Sequence, residues 1–112
     1  MTVIESERLR NLPIPIPLPP IASFCERWNV DEIALFGSIL TDDFGADSDV
    51  DVMVTFAVAA RPSLFDLIQM QDELDASLNR RVDLIERRGV EQSTNPIIRK
   101  SILGSARVIY AR

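Results

Sequence analysis

Histidine is absent from this chain, which removes the commonest general base and with it every Ser-His-Asp triad and His-built zinc site. Any chemistry must therefore rest on carboxylates, hydroxyls, backbone groups and bound cations. Cysteine occurs once, as Cys25; a lone thiol forms no intramolecular disulfide and suits a reducing compartment. Its place beside Phe24 in a helical apolar pattern reads as core packing rather than nucleophilic chemistry. No segment approaches the roughly 20 apolar residues of a membrane span, and Met1 to Arg8 lacks the basic start and apolar run of a signal peptide. The expectation is a cytoplasmic protein without membrane contact. Positive charge is also in deficit. A formal net charge of −5 argues against a free-standing nucleic-acid binder, because affinity for phosphate backbones rests largely on Lys and Arg displacing counterions. A protein partner fits that balance better.

At 112 residues the chain has room for one domain, which at about this size buries roughly 60–70% of its surface. Proline is concentrated at one end: Pro13, Pro15, Pro17, Pro19 and Pro20 alternate with Ile14, Ile16 and Leu18. Their missing donors and fixed φ predict an extended, polyproline-like stretch, so the chain divides into an arm over 1–20 and a folded domain over 21–112. The arm either docks a partner or packs across its own domain.

Beyond it, Ile21, Phe24, Cys25 and Trp28 follow the spacing of one helix face, with Asn29 as a left-handed stop. A strand over Ile33–Phe36 leads to Gly37-Ser38, where a short helix is expected to begin. Ser63 and Asp66 offer a capping box for a helix whose face carries Leu67, Met70, Leu74 and Leu78. Asn79 ends it, and a strand over Arg81–Ile85 follows. Asn95-Pro96 caps a last helix bearing Ile98 and Ile102, and Arg107–Tyr110 reads as a final strand. A helix between two strands is the usual crossover that sets them side by side in one sheet. The pattern predicts an α/β (α+β) fold, a sheet flanked by helices.

The informative residues are acids. Ser48-Asp49-Val50-Asp51-Val52-Met53-Val54 alternates carboxylates with valines, so on a strand Asp49 and Asp51 share one face. Strands are depleted in Asp, and neighbouring carboxylates raise each other's proton affinity unless a cation neutralises them. Asp83 is a further acid inside the apolar run Val82–Ile85, and a neighbouring strand would bring it to the same face. Three oxygen ligands without His or Cys favour a hard ion, Mg²⁺ above all. Gly37 permits a tight turn that presents Ser38 and free N–H groups beyond the strand, a geometry suited to phosphate. Asp42 and Asp43, beside Gly45, read as turn residues.

Taken together, Leu35-Phe36-Gly37-Ser38, Asp43-Phe44-Gly45, Ser48-Asp49-Val50-Asp51-Val52 and Arg81-Val82-Asp83-Leu84-Ile85 resemble the minimal nucleotidyltransferases of the DNA polymerase β-like superfamily, whose signature is Gly-Ser, a spacer, Asp-x-Asp and a later Asp. The resemblance runs from about Ile21 to Tyr110. It implies a small palm-like fold with a mixed sheet. It also implies transfer of a nucleoside monophosphate, AMP from ATP, with two Mg²⁺ ions held by Asp49, Asp51 and Asp83 and the triphosphate held at Gly37 and Ser38. Many relatives pair with an all-helical HEPN-type toxin, so the resemblance implies an antitoxin that adenylylates a hydroxyl of that partner.

The sequence departs from the family at Thr41, where relatives often carry Arg or Lys that steadies the triphosphate. Arg80, Arg81, Arg87, Arg88, Arg99 and Lys100 are candidate substitutes, each weighed against a plain surface role. The departure keeps a second reading open, a vestigial site in an antitoxin that neutralises its partner by binding alone.

Overall fold

Two asparagines in the left-handed backbone region, Asn29 at φ 55° and Asn79 at φ 52°, end the two helices that cover one face of the sheet. Asparagine enters that region at lower cost than most side chains. The computed structural model describes residues 12–112. Helix α1 spans Leu18–Trp28 and leads into strand β1, Val30–Phe36. A single 3-10 turn, Gly37–Leu40, follows, and strand β2 spans Val50–Phe56. Helix α2, Leu64–Leu78, begins at a reciprocal capping box between Ser63 and Asp66. Strand β3, Val82–Glu86, runs directly into helix α3, Arg87–Glu91; helix α4, Pro96–Ser105, and strand β4, Arg107–Ala111, complete the chain.

The four strands lie in the order β3-β2-β1-β4. β2 and β3 are parallel, joined by α2 as the crossover, whereas β1 pairs antiparallel with both β2 and β4. Period-two alternation sends Val50, Val52, Val54 and Phe56 to one face, where they meet Ile21, Phe24 and Cys25 of α1 and Met70, Leu74 and Leu78 of α2. The opposite face carries a smaller cluster of Ala34, Met53 and Val90, packed by Ile85, Ile102 and Leu103. Asp51 and Asp83 lie on this second, thinly covered face. The indole of Trp28 donates to Glu73 (2.9 Å), which also pairs with Arg27 and so ties α1 to α2.

Two sequence expectations need correction. The extended proline stretch ends before Pro20, because α1 starts at Leu18 and takes Pro19 and Pro20 into its first turn. There the missing N–H groups would have had no helical acceptor anyway. Residues 1–11 of the expected arm lie outside the described residues, while Leu12, Ile14 and Ile16 pack on the domain's own core. Second, the helix expected near Ser38 is only one 3-10 turn. Thr41 closes it, its N–H and its hydroxyl both donating to Ser38 O at 2.9 Å.

Candidate active site

The site is built by register. Asp51 of β2 and Asp83 of β3 are direct partners in the parallel pair, which sets their backbones about 4.8 Å apart with both side chains on one face. Phe36, the last residue of β1, lies opposite Asp51 on the other side, so Gly37 turns away beside the same carboxylate. Gly37 has φ +76°, and a Cβ built on it would stand 2.1 Å from Asp51 Oδ2. Glycine is required there twice over, by backbone conformation and by the acid that fills its side-chain space.

Asp49 is exposed and stands just outside β2. It is delivered by the loop after Thr41, and that loop is clamped by a residue from the far end of α2. The Arg80 guanidinium donates to Gly45 O and Ser48 O, both at 2.7 Å, and lies 4.5 Å from the centre of the Phe44 ring. Val50 N donates to Arg81 O at 2.9 Å, which starts the parallel pairing. Asp75 fixes the other side of that junction, its carboxylate accepting from Val82 N at 2.7 Å. These contacts set the register that brings Asp51 to Asp83.

The electrostatics follow from the crowding. The Asp51 carboxyl is held above the ordinary carboxylate range, first by partial burial and then by the negative charges of Asp83 and Asp49. As the side chains stand, no three acidic or cysteine groups among the described residues close on a single point; Asp51 and Asp83 share a face and a register without forming a finished ligand cage with Asp49. The donor set fits a hard divalent cation on chemistry. It offers carboxylate oxygens only, and like-charge repulsion at Asp51 is relieved by bound positive charge.

Ser38 is half-buried beside this edge. Thr41 carries no charge, and its hydroxyl is committed to the turn, donating to Ser38 O and accepting from Asp43 N at 3.2 Å. Of the candidate substitute cations, Arg80 is the loop clamp, Arg87 pairs with Glu32 and Glu91, and Arg99 donates to Ser93 O at 2.9 Å. Arg81, Arg88 and Lys100 are exposed and form no ion pair among the described residues. Sequence reasoning missed the clamp by Arg80 because its partners lie more than thirty residues away in the chain.

Two cavities of similar volume flank the acids without including them. One, of about 450 Å³, is lined by Ile39, Leu40, Thr41, Phe44 and Arg107. The other, of about 460 Å³, is lined by Ile85, Val90, Ile98 and Ile102. The carboxylates occupy the open ground of the sheet face rather than a closed pocket.

Comparison with known proteins bears on the family and the fold. The family model described as nucleotidyltransferase domain matches residues 21–109. A protein of Methanocaldococcus jannaschii, provisionally named a protein adenylyltransferase, is 34% identical over 77 residues, covering 69% of this chain and 74% of the relative. A solved structure provisionally described as a minimal nucleotidyltransferase superposes with a TM-score of 0.61 at 28% identity, covering 80% of this chain and 85% of that one. A chain from the complex of a tri-AMPylated Shewanella oneidensis HEPN toxin with an MNT antitoxin superposes with a TM-score of 0.57 at 18% identity, over 84% and 69% of the two chains. At that identity the last likeness concerns the fold alone.

Proposed function

Since the chain belongs to the nucleotidyltransferase domain family, we propose that it transfers AMP from ATP to a hydroxyl of a HEPN-type partner protein and acts as that partner's antitoxin. The observation that carries this reading is the pairing of Asp51 with Asp83 beside Gly37, because it places acids and a phosphate-accommodating turn at one end of the sheet. The provisional protein-adenylyltransferase name of the M. jannaschii relative and the AMPylated toxin in the Shewanella complex support AMP as the group and a protein as the acceptor.

In this mechanism the Gly37–Ser38 turn binds the β- and γ-phosphates through backbone N–H groups and the Ser38 hydroxyl. The acceptor oxygen attacks the α-phosphorus, a new P–O bond forms, and the bond from that phosphorus to the bridging oxygen breaks. Pyrophosphate leaves with the bond's electron pair, and the hydroxyl proton passes to Asp83 and then to solvent. Asp49, Asp51 and Asp83 would hold Mg²⁺, which when bound neutralises charge on the reacting phosphates and makes the acceptor hydroxyl more acidic. In this reading Asp83, on the edge strand, would face the acceptor, Asp51 would be central, and Gly37-Ser38 would lie on the triphosphate side.

A second reading, neutralisation by binding alone, draws on the commitment of the Thr41 hydroxyl to its turn, which leaves this position without a cation for the triphosphate. One experiment separates the two. With Mg²⁺, α-phosphate-labelled ATP and the cognate partner, the wild-type protein should label the partner and Asp83→Asn should not. A partner that is bound and neutralised but never labelled, and neutralised equally by Asp49→Ala/Asp51→Ala, establishes the binding-only reading.

A further inference from the structure

One flank of helix α2 lies open to solvent although it is apolar. The helix buries Met70, Leu74 and Leu78 in the core and turns Glu73 toward α1, where Trp28 and Arg27 hold it. Ile68 stands five residues before Glu73, roughly 140° around the helix, and so points away from α1. On that side Leu64 is 71% exposed, Phe65 82% and Ile68 53%. With Asp72 they follow steps of three and four and form one stripe. Beside the stripe a hollow of about 240 Å³ is lined by Leu67, Ile68, Gln71 and Asp72. One exposed apolar side chain is ordinary, whereas three adjoining ones beside a hollow mark an interaction surface.

Charge says what fits. Between Leu64 and Leu78 the helix carries the acids Asp66, Asp72, Glu73 and Asp75 and no Lys or Arg. Asp66 closes the capping box, Glu73 holds Arg27 and Trp28, and Asp75 accepts from Val82 N. Asp72 is exposed and has no hydrogen-bond or ion-pair partner among the described residues, yet it lines the hollow beside Ile68. A free carboxylate at the rim of an aliphatic surface calls for a cation set among apolar side chains. A second copy fits poorly: a two-fold contact over this stripe brings Asp72 near its own counterpart, on chains that already carry −5 each, and like charges facing each other are costly. The stripe starts at the beginning of α2, the crossover from β2 to the parallel β3. It therefore lies toward the end of the sheet opposite Asp51 and Asp83, and an occupant leaves those acids open.

We propose that the Leu64–Asp72 flank of α2 is the docking site for a basic amphipathic helix of a partner protein. Aliphatic side chains of that helix, spaced by three and four, pack on Leu64, Phe65 and Ile68, and a Lys or Arg among them reaches Asp72. The row Leu64, Ile68, Asp72 is an i±4 ridge, the surface on which another helix packs. Apolar contact supplies the affinity, and the pair at Asp72 sets orientation and register. The docking site does not rest on the transferase reading, since no nucleotide takes part in it.

The test uses three fluorescein-labelled helical peptides: one with leucine on one face and lysine on the other, one with its lysines replaced by glutamate, and one with its leucines replaced by glutamine. Fluorescence anisotropy on the full chain should show the first binding about tenfold or more tighter than either of the others. Ile68→Ser and Phe65→Ser should each weaken it about tenfold, the effect of losing one apolar contact. Asp72→Lys should weaken it as much, whereas Glu26→Lys, the same change of charge at an exposed position of α1, should leave the affinity within about twofold. All four positions are exposed, and circular dichroism verifies the fold of each variant. Mg²⁺–ATP affinity, read by calorimetry, should be the same in the variants as in wild type. Selective peptide binding by a protein that binds no Mg²⁺–ATP would overturn the transferase reading and leave the docking site standing. Equal binding of all three peptides, affinity untouched by both serine variants, equal losses from Glu26→Lys and Asp72→Lys, or a wild-type dimer in sedimentation that Ile68→Ser dissociates would overturn the docking site.

Discussion

Asp51 Oδ2 occupies the space in which a side chain on Gly37 would begin, 2.1 Å from the Cβ position. The turn after β1 and the central acid of β2 therefore constrain each other. Gly37→Ala should cost at least about 1–2 kcal/mol from the positive φ alone. It should also displace the Asp51 carboxylate and weaken Mg²⁺–ATP binding. Urea denaturation and calorimetric titration of the same preparation would check both effects; an alanine variant of wild-type stability and affinity would contradict the close approach.

Asp51 also makes stability depend on pH in a direction opposite to that of a salt-bridged acid. Its native pKa is raised above the ordinary 3.8 by burial and by Asp83 and Asp49, so the folded state favours the protonated form. Its contribution is fully present below pH 3.8 and is lost as the pH rises through the raised native value. In chelator at neutral pH, Asp51→Asn should therefore melt above wild type, and the gap should close on acidification. Added Mg²⁺ should stabilise wild type more than the variant. Melting curves across pH, with and without the ion, decide it; a variant that melts below wild type throughout in chelator excludes the crowding.

Arg80 serves two carbonyls and one ring at once, a task for a planar fork that a lysine ammonium cannot reproduce. Arg80→Lys should destabilise the fold by about 2 kcal/mol, in the range of charge-assisted hydrogen bonds. Because the clamped loop delivers Asp49, the apparent Mg²⁺ requirement should rise as well. Denaturation midpoints and Mg²⁺ titrations of ATP binding measure the two losses separately. Loss of stability with no change in the Mg²⁺ requirement would limit Arg80 to structure.

Restoring a cation at position 41 should trade one function against another. Thr41→Arg loses the hydroxyl that closes the 3-10 turn, at about 1 kcal/mol, and gains a guanidinium near Ser38. ATP affinity should tighten by about tenfold, as one charge-assisted phosphate contact allows. Unchanged affinity would place the triphosphate away from this turn.

Much of this arrangement is legible in the chain because it is local or periodic. The Ser63–Asp66 capping box, the stops at Asn29 and Asn79 and the stripe Met70, Leu74, Leu78 are all short-range patterns. The shared face of Asp51 and Asp83 follows from alternation within two strands and a helix between them. What the sequence hid has physical reasons. Pro19 and Pro20 look like helix breakers but sit in a first turn where no donor is needed. Helix α3 starts directly from β3 without a capping side chain and contains Gly89, so nothing announces it. Asp49 falls just before β2, since pairing with β3 begins only at Val50. The register itself depends on Arg80 and Asp75, whose partners no local pattern predicts.

Cys25 is fully enclosed between α1 and the sheet, and burial pushes its thiol up to about 12. The thiolate is the reactive form, so alkylating reagents find essentially none of it in the folded protein. Modification then proceeds only through molecules whose first helix has lifted off, at a rate set by how often that happens. As the chain's sole thiol, it is a built-in clock: the time course of its alkylation reports the opening of the native state without an engineered label.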